Sequence, residues 1–165
     1  MSESPVSLPA VRLKIERRSA HPWIFQKMID WPEERIPNGS VVDVLDNAGQ
    51  WVGRGLFNGH SRIGLRILTA DKNEPIDAAF FAKRIGAAVA LRKQLLKLDD
   101  VTDAYRVVHS EADALSGLVV DRFSNWLVIE FFSSGMFRQR ALSCARFGMP
   151  AKLPEPLPNT SGVVG

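Results

Sequence analysis

The sequence holds a single cysteine, Cys144, and three histidines, His21, His60 and His109, that stand far apart. One thiol cannot form an internal disulfide, and these spacings offer no cysteine-type zinc site within the chain. No apolar run is long enough to cross a bilayer as a helix, so no membrane partner is expected. There is no Gly-x-Gly-x-x-Gly after a strand and no P-loop, which removes both familiar glycine-rich phosphate cradles. The first ten residues lack a basic flank and an apolar stretch, and do not read as a signal peptide. These absences fit a reducing, cytoplasmic setting. Cys144 would be a nucleophile only if something lowered its pKa, and a passive thiol is the simpler reading.

What is present is a globular composition. Hydrophobic residues make up 45% of the 165, and 13 of the 14 aromatic residues precede position 140. The net charge of +3 is mild, but its placement is uneven. Arg12, Lys14, Arg17, Arg18 and Lys27 gather within sixteen residues against one acid, Glu16, whereas residues 71–140 carry ten basic and ten acidic side chains. A basic patch on an otherwise balanced chain points to phosphate, with a solvated surface as the alternative.

The first half alternates in the manner of short strands. Val11, Leu13 and Ile15 interleave with Arg12 and Lys14. Val41–Leu45 and residues 50–57 flank Asp46-Asn47-Ala48-Gly49, a hairpin turn by composition, and residues 63–68 form a further strand. Several short strands with turn signals between them predict a small barrel. The texture changes at Asp77. Residues 77–98 have helical spacing, with Phe81, Ile85, Ala88, Val89, Leu95 and Leu96 on one face. Strands are predicted at 105–108, 118–121 and 126–132, and a short helix near Ser134. From residue 141 the chain is proline-rich and aperiodic, so residues 141–165 are expected to form an unstructured tail. The expected domains are a lead over 1–10, a barrel over 11–70, a mixed segment over 76–140 and that tail.

The string His21-Pro22-Trp23-Ile24-Phe25 is the most unusual in the first half. Trp23 and Phe25 are expected in the core. His21, beside Arg17 and Arg18, is a candidate to donate to RNA or stack on a base. Arg54, Arg62 and Arg66 could share one barrel face or serve in surface salt bridges. Glu111, Asp113, Asp121 and Arg122 form a second polar cluster. Paired carboxylates can perform acid–base chemistry, but pairing with an arginine such as Arg106 is the safer reading.

Five pieces in order give the chain a resemblance. They are Arg17-Arg18 with His21-Pro22-Trp23-Ile24-Phe25; Ser61-Arg62-Ile63 with Arg66; Ile76-Asp77-Ala78-Ala79-Phe80-Phe81; Tyr105-Arg106-Val107-Val108 with Glu111, Asp113, Leu115 and Gly117; and Val119-Val120-Asp121-Arg122-Phe123. Over residues 11–140 the chain resembles the RlmI-like family of large-subunit ribosomal RNA cytosine-C5 methyltransferases. The resemblance implies a mixed α+β fold: a PUA-like β pseudobarrel followed by a partial α+β central domain. It also implies a Rossmann-like methyltransferase domain that would bind S-adenosylmethionine and supply a cysteine nucleophile. That domain is absent from this sequence, and Cys144 stands outside the family's catalytic motif.

The expected function is therefore RNA binding, with ribosomal RNA as partner, by the N-terminal portion of such an enzyme. It would use Arg12, Lys14, Arg17, Arg18, His21, Lys27 and Arg66, with no catalytic, cofactor or metal residue of its own. A subunit completed by a second polypeptide and a non-functional truncated remnant are the alternatives. Self-association through the incomplete domain is expected. Ser124, Ala114 and Ser116 replace the glycine and proline usual at family turns, at little expected cost.

Overall fold

The computed structural model describes residues 8–17, 19–147 and 162–164. The chain divides into two compact units, one ending at Glu74 and one starting at Pro75.

The first unit is one six-stranded sheet. Its strands are β1 (Ala10–Leu13), β2 (Trp23–Phe25), β3 (Ile29–Asp30), β4 (Val41–Leu45), β5 (Trp51–Phe57) and β6 (Ile63–Thr69), in the spatial order β2-β6-β5-β4-β1-β3. Only the β1–β4 pair is parallel. The two outermost strands, β2 and β3, are consecutive in sequence, separated by a three-residue 3₁₀ turn, Gln26–Met28. Such a turn rises only about 6 Å, so the opposite edges must approach each other and the sheet must curl. Strand alternation supplies the filling. Val11, Leu13, Ile24, Ile29, Val42, Val44, Phe57, Leu65 and Ile67 point inward and form one cluster.

Local chemistry sets the register. The Asp46 side chain accepts from the Ala48 and Gln50 amides at 2.9 and 2.8 Å, and Gly49 takes φ +81° to close the β4–β5 turn. At Gly55, next to a bulge, a Cβ would lie 2.2 Å from the Arg66 carbonyl oxygen, so only glycine lets β5 and β6 meet there. On the outer side of β4, Asp43 accepts from Arg54 Nε at 2.8 Å and Trp51 Nε1 at 3.0 Å. Burial alone would raise this carboxyl's pKa, but the hydrogen bonds from Arg54 and Trp51 and the nearby positive charges bring it below its ordinary value.

The second unit is mixed α and β. Helix α1 (Ala78–Ala90) is capped by Asp77, whose carboxylate accepts from the Phe80 amide at 2.9 Å. The antiparallel strands β7 (Ala104–His109), β8 (Leu118–Phe123) and β9 (Trp126–Phe131) are followed by the short helices α2 (Ser134–Arg138) and α3 (Arg140–Cys144). Phe80, Phe81, Ile85 and Ala88 of α1 are buried, as are Val107, Val108, Leu118, Val120, Ile129 and Met136. The fold is mixed α+β, as the resemblance implied.

Two expectations need correction. Leu95 and Leu96 are 74% and 55% exposed rather than on the core face. The reason is a π-helical turn at Leu91–Leu95, where Leu96 donates to the Leu91 carbonyl at 2.9 Å. The added residue per turn moves every later side chain around the axis, and Lys97 in the left-handed region (φ 50°) then ends the helix. The tail expectation fails at its described parts. Residues 141–147 continue α3 and a 3₁₀ turn, with Ser143 and Cys144 buried. Gly162–Val164 forms β10, antiparallel to β9. A bare sheet edge offers unpaired backbone groups, and Val163-Val164 has the composition of a strand that pairs with one. The prolines at 150, 154, 156 and 158 lie outside the described residues.

Two substitutions at turns cost more than expected. Ala114 (φ 56°) and Ser124 (φ 54°) both sit in the left-handed region, Ser124 at the first position of the two-residue β8–β9 turn, where glycine is usual. Ala114→Gly and Ser124→Gly should each stabilise the chain by about 0.5–1 kcal/mol, read as a rise of a few degrees in the melting temperature. An unchanged or lower value would contradict the strain.

Candidate nucleic-acid interface

The Gln26–Met28 turn arranges the cations of the first unit. On one side the Lys14 amide donates to the Met28 carbonyl at 2.9 Å. On the other the Gln26 amide donates to the Arg62 carbonyl at 3.0 Å. Lys14, Lys27 and Arg62 therefore stand on backbones one hydrogen bond apart, and all three are exposed. The turn is braced further. Gln26 Nε2 donates to the Gly59 carbonyl at 3.0 Å, and the Gly59 amide donates to Asn38 Oδ1 at 2.7 Å. Phe25, Gln26, Lys27 and Arg62 line an open cavity of about 380 Å³, within the range of small-molecule sites.

The sequence-predicted residues separate into two groups. Arg12, Lys14, His21 and Lys27 are exposed. Arg12 points over the β4–β5 turn, its NH2 3.5 Å from where a Cβ on Gly49 would be. His21 is oriented by its neighbour: Nδ1 accepts from the Trp23 amide at 3.2 Å, and the ring meets Trp23 edge-on at 5.0 Å. That bond leaves Nε2 to carry the ring N–H.

Arg17 and Arg66 turn inward. Arg17 donates to the Val52 carbonyl at 3.3 Å and the His21 carbonyl at 3.1 Å, tying the β1–β2 loop to β5. Burial lowers its pKa, and its Nε is buried without a partner. Arg66 is 8% exposed and lies over the Trp23 ring at 5.2 Å. Both guanidiniums are engaged with their own domain, which gives each a structural role in this fold. Arg18 lies outside the described residues.

Phe25 and Arg62 enter the site unexpectedly. Phe25, expected in the core, is 38% exposed. In a three-residue strand only the middle side chain, Ile24, faces inward, and a bulge follows it. All three residues are apolar, so composition does not mark the outward face. Arg62, expected either to share a barrel face with Arg54 and Arg66 or to serve in a surface salt bridge, lines the cavity instead.

The polar cluster predicted in the second unit is internally paired. Asp113 accepts from Arg92 through both oxygens, at 2.6 and 2.9 Å, and from the His109 amide at 2.6 Å. Asp121 takes a two-pronged bond from Arg106, whose pKa is raised by it. Glu111 accepts from the Ser116 hydroxyl at 2.8 Å, and Arg122 bonds to Asp99 and Tyr105. Burial pushes the Cys144 thiol up, which suits a passive thiol. Among the described residues no group of His, Cys, Asp or Glu is placed to hold a metal ion.

This geometry has recognisable relatives. Residues 15–70 match the PUA-like domain family. The ribosomal RNA large subunit methyltransferase I of Photobacterium profundum is 42% identical over 124 residues, which are 74% of this chain and 31% of that protein. The protein of the same name from Alteromonas mediterranea is 39% identical over 123 residues, 74% of this chain and 31% of that one. A solved Streptococcus mutans structure described as a SAM-dependent methyltransferase has a TM-score of 0.68 at 14% identity. It covers 85% of this chain and 37% of the other. At that identity the likeness shows the fold alone. Over residues 15–70 the chain is thus similar to PUA-like domains, and over 74% of its length it is similar to these ribosomal RNA large subunit methyltransferases. It spans about a third of the length of these curated relatives.

The arginine and carboxylate assignments are separable by stability. Asp113→Ala should cost about 3–5 kcal/mol, because it leaves the buried Arg92 charge unpaired. Asp121→Ala should cost less than about 1 kcal/mol, because Arg106 is 43% exposed. Arg17→Ala should lower stability by roughly 1–2 kcal/mol through its two lost carbonyl bonds, while leaving the salt dependence of RNA binding unchanged. Equal effects at the two aspartates, or a flattened salt dependence without Arg17, would contradict these roles.

Proposed function

We propose that this chain is the RNA-binding portion of a SAM-dependent ribosomal RNA (cytosine-C5) methyltransferase and is not catalytic by itself. The observation that carries the reading is the set of exposed cations around the Gln26–Met28 turn of a PUA-like domain. The side chains of Lys14, Lys27 and Arg62 are exposed, with no hydrogen-bond or ion-pair partner among the described residues, and Arg12 on β1 adds a fourth exposed positive charge two residues before Lys14. Unpaired surface cations on a rigid backbone bind phosphates without first breaking an internal bond. His21, held by the Trp23 amide, is a further RNA-facing donor. Ribosomal RNA is the partner that the relatives' name supports.

S-adenosylmethionine belongs to the reaction of the whole enzyme. The cavity in the first unit does not fit it. Two cations and no carboxylate line that cavity, so nothing there balances a sulfonium. No step is assigned to this chain's residues beyond holding RNA. A cytoplasmic setting accompanies this reading. Among the described residues no helix is long and apolar enough to cross a membrane. Self-association is part of the proposal too, because Leu95, Leu96, Val101, Phe123 and Trp126 of the second unit expose their apolar side chains.

Three phosphate contacts on a single strand give a slope of about −2 for log K against log salt. Lys14→Ala with Lys27→Ala should reduce its magnitude by about 1.4, whereas Arg106→Ala should leave it alone. A slope that the double substitution does not change would refute the assignment.

A further inference from the structure

We propose that the cavity lined by Phe25, Gln26, Lys27 and Arg62 receives one unpaired base of an RNA single strand, with Phe25 as the stacking surface. The inference rests on the RNA-binding reading and goes beyond it by naming the form of RNA and the residue that selects it. Three observations meet at this place.

The first is an aromatic ring where burial was available. The unit buries nine apolar side chains in one cluster, yet Phe25 stays 38% exposed at the cavity wall. No aromatic ring among the described residues packs against it. Trp31, the other exposed aromatic residue of this unit, already meets Phe57 edge-on at 6.0 Å. A free ring face in water is a surface on which a base can stack whatever its identity.

The second is charge. Lys27 and Arg62 line the same cavity and are exposed. A base on Phe25 carries its phosphates to either side, within the range of two such cations. A ligand that was only an anion would use the cations and leave Phe25 idle. An apolar ligand would gain nothing from them. A nucleotide uses both.

The third is rigidity. Gln26 is fixed at its backbone to Arg62 and at its side chain to Gly59, which Asn38 holds in turn. The walls are therefore set before the ligand arrives, and little ordering entropy is lost on binding. Stacking on a ring is tolerant of base identity, so base preference should be weak. A duplex covers each base face with its neighbours and has no free face for Phe25.

The test uses the full chain and a labelled single-stranded hexaribonucleotide, with the same sequence in a duplex of equal length as comparison. Fluorescence anisotropy at fixed salt should show tighter binding to the single strand. Phe25→Ala should weaken single-strand binding on the order of tenfold or more, leave duplex binding and the salt slope unchanged, and keep the melting temperature. Phe25→Trp should retain binding, and its fluorescence should be quenched by the single strand but not by inorganic phosphate or by an acidic peptide. Equal affinity for both RNA forms, a neutral Phe25→Ala, or equal quenching by the peptide would overturn the base pocket. If RNA still bound with a normal salt slope in that case, the proposed function would stand without the pocket. Failure of the chain to bind either RNA would remove both.

Discussion

Two main-chain hydrogen bonds hold the Gln26–Met28 turn, one from the Lys14 amide and one to the Arg62 carbonyl, and the first unit depends on them. The turn joins the opposite edges of a six-stranded sheet. Val11 and Leu13 come from one side of that closure, Ile24 from the other, and Ile29 from the strand that follows it. Burying this cluster and bringing Lys14, Lys27 and Arg62 together are therefore one event. The basic surface is a by-product of how the sheet curls, which is why residues spread over fifty positions of sequence end on adjacent backbone.

The second unit shows the contrary use of charge. Three of its arginines are spent on carboxylates of the same unit: Arg92 on Asp113, Arg106 on Asp121, Arg122 on Asp99. These pairs set turns and strand register, with the buried Arg92–Asp113 pair the one whose loss is costly. A phosphate arriving there would have to displace a carboxylate that already sits at bonding distance. Around the Gln26–Met28 turn no such competitor exists among the described residues. In the proposed function it is this difference in internal pairing, more than net charge, that assigns the nucleic acid to the first unit.

Much of this architecture is legible in the residues. The strand at Val41–Leu45, the Asp46–Gly49 turn and the helical spacing from Asp77 are each predicted from chemistry that acts within a few positions, and each forms. The mixed α+β class and the PUA-like domain follow from the resemblance. What is not legible depends on partners distant in sequence or on backbone phase. A π-helical turn at Leu91–Leu95 leaves no mark in composition, yet it moves Leu95 and Leu96 to solvent. Arg17 and Arg18 look alike in sequence. Only the fold reveals that the Val52 carbonyl, thirty-five residues away, takes the first of them. Arg66 reads as a surface strand cation until Trp23 is seen beneath it. Phe25 reads as core by its hydrophobicity, and only its place in the short edge strand β2 turns it outward.

The central claim is that the Gln26–Met28 turn is a fixed part of the core and not a mobile loop. Amide hydrogen exchange at Lys14 and Gln26 in the free chain tests it most directly. Protection at the level of the Val42 and Leu65 amides, in the middle of the sheet, is the predicted result. Exchange at the rate of an exposed loop, with Val42 and Leu65 still protected, would contradict it.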